Sequence, residues 1–412
     1  MNPPMLYHFY DMQQTMLSPV RLAAETVQHM FSHPLMPMSY TRMGRAMAAG
    51  AEMLERATRR YGKPAFRLDQ VTIDGVECPI VEEVVHTKPF CDLLHFDRAT
   101  PTTRNDPKVL VVAPMSGHYA TLLRGTIEAL LPDHDVYVTD WVNAALVPLV
   151  EGPPFDLDAY VDYLIEFLEV LGPETHIIAV CQPSVPVMAA VALMSADDGA
   201  LAPRSMTLMG GPVDTRVNPT KVNQLAAERS IEWFERSVLS TVPANYPGFM
   251  RRVYPGFLQL SGFMSMNLDR HVGSAMKQFQ HLVRGDGLSA QGHREFYDEY
   301  LSVMDLDAAF YLQTIKVAFQ DHDLPRGTWV SRGRKVDPSA IRNTALLTVE
   351  GELDDISGVG QTYAAHVLCN NLPSDKHRHW LQKNVGHYGI FNGKRWRNEI
   401  LPQVRGFIRD NR

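Results

Sequence analysis

The chain has 412 residues, 45% hydrophobic and 21% charged, which is enough apolar material for a large core and one catalytic domain carrying insertions. Its formal net charge is -7, and Lys and Arg are scattered rather than gathered into a stripe, which excludes the electrostatic footprint of a nucleic-acid binder. Four cysteines without C-x-x-C spacing exclude a disulfide framework and a structural zinc site, and no run approaches the roughly 18 apolar residues of a membrane-spanning helix.

The first residues, Met1-Asn2-Pro3-Pro4-Met5, lack the basic and apolar regions of a secretory signal, so a soluble cytoplasmic protein is expected. To about Tyr61 the pattern is helical, with Met43, Met47 and Met53-Leu54 among Arg and Ala, before a turn at Gly62-Lys63-Pro64. Between Phe66 and Phe96 two β-rich runs flank Asp74-Gly75, a strong hairpin signal that predicts antiparallel strands at a sheet edge.

After Asp106-Pro107 come short apolar runs: Val109 to Ala113, Val136 to Thr139, His176 to Val180, Met206 to Met209 and Ala345 to Val349. Strands apolar on both faces predict a mostly parallel sheet covered on both sides by helices. The regular spacing breaks from Thr215 to Trp329, a helical stretch carrying Trp233, Phe234, Tyr246, Phe249, Tyr254, Phe257 and Phe263. The expected division is a helical N-terminal extension over 1–64, a first part of the core over 65–214, an inserted cap over 215–329 and a second part of the core over 330–412.

In a doubly wound sheet the catalytic groups sit in loops after the strands. Cys181 directly follows the run to Val180 and precedes Gln182-Pro183-Ser184-Val185-Pro186, the start of an apolar helix in which proline sacrifices only unpartnered N–H groups. Strand, tight turn and helix make a nucleophile elbow with Cys in place of Ser, where the helix dipole favours the thiolate. A lone Cys after a strand is more often a small buried hydrophobe, so Cys181 is weighed with its partners. The Gln182 N–H points where an oxyanion would form, and a second donor is expected from Pro114-Met115-Ser116-Gly117-His118, with the Ser116 N–H preferred.

The acid comes from Glu350-Gly351-Glu352-Leu353-Asp354-Asp355, with Asp354 favoured over Asp355, although either also suits a helix N-cap. The base is His387 in Gly386-His387-Tyr388-Gly389; a single His among sixteen is more often a surface or satisfied core residue. Nucleophile, acid and base, each after a different predicted strand, are in the chain order of α/β hydrolases. The fold class is therefore an α/β-hydrolase fold with an inserted helical cap. His387 would keep Cys181 deprotonated, Asp354 would fix the His tautomer, and attack on a carbonyl would give a thioester. No H-E-x-x-H occurs, and no metal or cofactor is expected.

At Val180-Cys181-Gln182-Pro183-Ser184-Val185-Pro186, Val349 to Ile356 and Gly386 to Gly389, the chain resembles the intracellular polyhydroxybutyrate depolymerases, a likeness running from Met5-Leu6-Tyr7 through the Ser116 loop to the last helix. The resemblance implies a cytoplasmic enzyme associated with storage granules that degrades their polyester, its Cys, Asp and His being Cys181, Asp354 and His387. The related polymer synthases carry a glycine-flanked cysteine, whereas here the flanks are Ala179 and Pro183. A synthase-like acyltransferase and a granule-coat protein remain as alternatives. Water is the expected acyl acceptor and coenzyme A the other, with Arg251-Arg252 and Lys394-Arg395 as candidate phosphate ligands. The cap aromatics are expected to form an apolar wall over Cys181.

Overall fold

The computed structural model describes residues 3–412 apart from 101, 103 and 267, without the side chains of 3–5 and 266. Met1 and Asn2, part of the stretch read for a leader, lie outside the described residues. The chain opens with helices α1 (Pro3–Met16), α2 (Ser18–Ser32) and α3 (Arg42–Thr58), in keeping with the helical periodicity there. Strands β1 (Gln70–Ile73) and β2 (Val76–Lys88) follow, joined at Asp74-Gly75, where both residues have positive φ (51° and 83°). That conformation matches the right-handed strand twist of a two-residue hairpin and explains the Asp-Gly choice.

Strands β3 (Cys91–Arg98), β4 (Lys108–Val112), β5 (Asp135–Trp141), β6 (Thr175–Val180) and β7 (Ser205–Met209) come next, interleaved with helices α4 (Arg124–Leu130), α5 (Leu157–Leu171) and α6 (Ser184–Asp197). Every residue of β6 and β7 is buried, which is the physical reason for their unbroken apolar runs. Helix α5 starts where the Asp156 carboxylate accepts from the Ala159 N–H and stops at Gly172, whose φ of 84° few other residues adopt.

After β7 the chain leaves the sheet through α7 (Lys221–Glu228), α8 (Ile231–Ser237), β8 (Ser240–Thr241), β9 (Arg252–Tyr254), α9 (Gly256–Met266), α10 (Leu268–Arg284), α11 (Gly287–Tyr300) and β10 (Leu306–Asp307). Helices dominate, as expected, but β8, β9 and β10 add a small antiparallel sheet that the sequence reading did not anticipate. A short hairpin of β11 (Val330–Ser331) and β12 (Arg334–Lys335) precedes β13 (Ala345–Gly351) and β14 (His377–Gln382).

The main sheet has the order β1-β2-β3-β5-β4-β6-β7-β13-β14, antiparallel from β1 to β5 and parallel from β5 onward. A parallel sheet whose strand order reverses at β4, with helices on both faces, is an α/β-hydrolase fold. The register sets Val112 beside Ala179, Val180 beside Met209 and Met209 beside Val349. The carboxyl ends of β4, β6, β7 and β13 therefore open side by side, with β14 next in line.

The N-terminal helices are tied to the segment between β7 and β13. Arg294 grips Glu52 with two hydrogen bonds of 2.6 and 2.7 Å, and Tyr7 donates to the buried Asp305 carboxylate at 2.8 Å. Arg251 makes a buried ion pair with Asp307 at 2.9 Å and donates to the Val147 and Gly152 carbonyls, locking β9 and β10 to the loop after β5. Buried charges persist only with such full pairing.

Candidate active site

Cys181 sits immediately after β6 with φ of 68°, the left-handed region that a non-glycine residue enters at a cost of about 1–2 kcal/mol. Two backbone bonds hold it there: its N–H donates to the Met209 carbonyl at 2.7 Å, and its own carbonyl accepts from the Ser184 N–H at 3.1 Å. The turn closes directly into α6, with Pro183 at the N-cap. Cys78, Cys91 and Cys369 are buried, whereas Cys181 is partly exposed. Burial pushes the Cys369 thiol up to about 12 and the Cys91 thiol well above its usual range, so neither is suited to act as a nucleophile.

Asp354 and His387 meet at this elbow. His387 Nδ1 donates to Asp354 Oδ2 at 2.8 Å, and both side chains are buried. The other carboxylate oxygen accepts from the Ile356 and Ser357 N–H groups, each at 2.9 Å, so the acid is oriented from two sides. Asp355 is exposed instead. With Nδ1 engaged, the second imidazole nitrogen is left for the Cys181 side chain. Burial alone would depress the imidazole, but the charges of Cys181 and Asp354 and the hydrogen bond to Asp354 outweigh it and hold His387 well above its ordinary value. A basic imidazole between a thiol and a carboxylate favours the thiolate–imidazolium pair.

The two predicted oxyanion donors flank the elbow. Ser116 lies in the loop after β4, which the register places beside the end of β6, and Gln182 follows Cys181. Among the described residues neither backbone N–H has a protein partner. The Ser116 loop is pinned: the Ala113 N–H donates to Thr139 Oγ1, and the Gly117 carbonyl accepts from the Met304 N–H at 2.7 Å. Gly117 has φ of 102°, and a side chain there would collide with Gln259 of α9, so α9 lies directly on this loop. His118 donates to the Tyr300 carbonyl, and burial lowers its pKa to about 4, keeping it neutral.

Residues that the sequence reading passed over complete the surroundings. Gly210 and Gly211 follow β7 and admit the elbow at close range. A Cβ on Gly210 would lie 3.2 Å from His387 Cε1 and 3.3 Å from Asp354 Oδ2, and one on Gly211 would lie 2.9 Å from the Cys181 carbonyl oxygen. A double glycine at a strand end was the available signal. Tyr388 and Tyr300 stand beside the site, with ring centroids 6.3 Å apart and Tyr388 5.9 Å from His387.

The expected aromatic wall is corrected in its members. Phe234 packs on Tyr311, and Tyr246 and Phe257 pack on Tyr7 of α1, away from the elbow. Phe263 approaches the Ser116 loop, 5.8 Å from the His118 ring, but the ring that bridges to the site is Tyr300. Arg251 is also corrected as a phosphate ligand, since its donors are spent inside the fold. Arg252 pairs with Glu235 and Arg395 with Glu399.

Residues 210–412 match the family model described as PHB de-polymerase C-terminus. This segment of the chain is similar to that family. The PHB de-polymerase segment contains Asp354, His387 and Gly210-Gly211, while Cys181 precedes it. Fold and family together support ester hydrolysis. No curated protein matches the chain in sequence. Solved structures with a similar course include 2-hydroxy-6-oxo-6-phenylhexa-2,4-dienoate hydrolase from Rhodococcus sp. strain RHA1, at 12% identity and TM-score 0.43 over 81% of this chain and 99% of that one. A thermophilic esterase from Thermogutta terrifontis matches at 14% and 0.41 over 83% and 97%. A monoacylglycerol lipase from Paleococcus ferrophilus matches at 13% and 0.43 over 74% and 95%. These likenesses are distant, and the fold assignment rests on the strand order and the elbow.

Among the described residues no group of three or more His, Cys, Asp or Glu side chains is arranged to hold a metal ion, and no helix is long and apolar enough to cross a membrane.

Proposed function

We propose that this protein is an intracellular depolymerase that hydrolyses the ester bonds of poly(3-hydroxybutyrate) storage granules in the cytoplasm, releasing 3-hydroxybutyrate and its oligomers. The observation that carries the reading is the convergence of Cys181, at positive φ after β6, with the His387–Asp354 pair, in a chain whose residues 210–412 match the PHB de-polymerase C-terminus model.

The Cys181 thiolate attacks an ester carbonyl of the polymer, and the oxyanion is met by the Gln182 and Ser116 N–H groups. One such donor contributes about 3–4 kcal/mol to the barrier reduction. His387, protonated and held by Asp354, gives its proton to the departing alkoxide as the carbon–oxygen bond breaks. The result is an acyl thioester on Cys181 and a shortened chain ending in a hydroxyl group. His387 then takes a proton from water, the hydroxide attacks the thioester, and collapse of the second tetrahedral intermediate releases the carboxylic acid and returns the thiolate.

Water is the principal acceptor in this reading, because thioester hydrolysis is downhill and uses the same base. Transfer to coenzyme A would conserve the activated acyl group through the same triad, but Arg251 has no free donor for a nucleotide phosphate. The polymerase alternative is disfavoured by the Ala179 and Pro183 flanks of the cysteine.

The test is incubation of native amorphous granules with the protein, with and without coenzyme A, the products being resolved by mass. Free 3-hydroxybutyrate and oligomers are expected, and they should vanish with Cys181→Ala. Acyl-CoA outweighing free acid would make the enzyme a thiolase of the polymer. No product from folded wild-type protein that still cleaves soluble esters would reject the granule polyester as substrate.

A further inference from the structure

Helix α10 presents an apolar stripe to solvent. It buries Gln278, whose amide donates to the Ala290 carbonyl of α11, and turns Leu268, Val272, Met276 and Phe279 to solvent. These four lie at i, i+4, i+8 and i+11, one continuous stripe, where a soluble helix packed on a core would point that stripe inward. The face continues onto α3. Phe279 and Tyr40 line a recess of about 610 Å³ shared by the end of α10 and the start of α3, beyond which Met43 and Met47 are also exposed.

Helix α11 connects this face to the catalytic centre. Leu288, at the start of the helix, is 90% exposed, and Phe296 and Tyr300, one turn apart on one side, fall from 46% to 5% exposure. Phe296 stacks on Tyr300 with centroids 5.6 Å apart, Tyr300 meets Tyr388, and Tyr388 meets His387. A graded apolar run thus leads from solvent to the residues around Cys181.

Resting on the depolymerase reading above, we infer that the exposed face of α10 and α3 lies on the polyester surface, and that the α11 run guides a chain segment from it to Cys181. The chemistry of the face fits that occupant. An amorphous polyester offers methyl and methylene groups and ester carbonyls, which are acceptors without donors. The stripe supplies flexible Met and Leu side chains that adapt to an irregular apolar surface. Arg42, Arg45 and Arg284 line the recess and have no ion-pair partner among the described residues, leaving their donors for carbonyls. A second copy of this chain or a lipid layer would need only the face. The run down α11 to Tyr388 is explained by an occupant that must reach the thiol.

The experiment compares wild type with a Val272→Gln/Met276→Gln double variant and, separately, Leu288→Gln, all at exposed positions outside the catalytic machinery. Binding to amorphous granules is read by co-sedimentation, and turnover is read on granules and on a soluble 3-hydroxybutyrate oligomer. Each variant is expected to lose about tenfold or more in granule binding and granule turnover, the loss of buried apolar area, while kcat/KM on the soluble oligomer stays at the wild-type level. Undiminished granule binding by both variants would overturn the inference. So would loss of binding to phosphatidylglycerol vesicles with granule binding intact, which would assign the face to lipid, or conversion of a wild-type dimer to a monomer, which would assign it to a second copy. Failure of the depolymerase reading looks different: wild type would then sediment with granules yet release nothing from granules or oligomer.

Discussion

Asp354 Oδ2 accepts from His387 Nδ1 at 2.8 Å while Asp354 Oδ1 is held by two backbone N–H groups, and its neighbour Asp355 faces solvent. Orientation of the imidazole therefore depends on one of two adjacent carboxylates. Asp354→Asn is expected to lower kcat by about 10³- to 10⁴-fold, because an amide stabilises the wrong tautomer. Asp355→Asn should stay within about threefold of wild type, as a solvated surface change does. Steady-state kinetics on a soluble oligomer reads both, and the opposite ranking would transfer the role to Asp355.

Gly210 offers a second test of the same geometry. Its φ is 58°, and an added Cβ would stand 2.6 Å from Ile390 Cδ1 as well as against His387 and Asp354. Gly210→Ala is expected to destabilise the fold by about 1–2 kcal/mol and to reduce kcat by roughly a hundredfold through displacement of the imidazole. Thermal melting and kinetics together check it. Wild-type kcat would show that the site tolerates a shifted His387.

How far the site was legible depends on what each residue does. The strands β4, β6, β7 and β13 announced themselves because both faces are buried, and Cys181, Asp354 and His387 stood out through their order after successive strands. Gly210-Gly211 carried no such order, because the need for glycine comes from atoms that only the fold brings close, those of Asp354, His387 and Ile390 at Gly210 and of Ser184 and Cys181 at Gly211. The aromatics between β7 and β13 were visible as residue types, but their directions depend on helix packing. Tyr246 and Phe257 turned toward α1, whereas Tyr300 turned toward Tyr388. Strands of two or three residues such as β8 and β10 are too short to carry a periodicity.

Arg251 illustrates the same limit, a residue that reads as surface charge and folds as core. With its donors committed to Asp307, Val147 and Gly152, Arg251→Ala should lower stability by about 3–5 kcal/mol by leaving Asp307 buried and unpaired. Chemical denaturation measures this. An unchanged midpoint together with a raised KM for coenzyme A would return Arg251 to the role of phosphate ligand.

Acid should weaken the fold through three histidines. Burial lowers His118, His176 and His366 to about 4, with His377 and His379 adding to the effect at His366. In the unfolded chain each protonates near 6.5, so between that value and about 4 the unfolded state binds more protons. Stability from these groups is therefore full above pH 6.5 and is lost as the pH falls toward 4. Both nitrogens of His366 are engaged, by Thr348 Oγ1 at 2.8 Å and His377 Nδ1 at 2.7 Å, so the neutral ring is fully partnered. Melting temperature is expected to fall between pH 7 and pH 4.5, less steeply in His366→Gln. A flat profile would mean that these side chains titrate freely in the fold.

Passage of the acyl group through a thioester on Cys181 is read most directly from the mass of the Cys181 peptide, taken from protein quenched in acid during turnover of a 3-hydroxybutyrate oligomer. A 3-hydroxybutyryl or oligomeric acyl adduct is expected on that peptide, removed by neutral hydroxylamine and absent from Cys181→Ala. An acyl adduct on another residue, or sustained turnover by the Cys181→Ala protein, would contradict it.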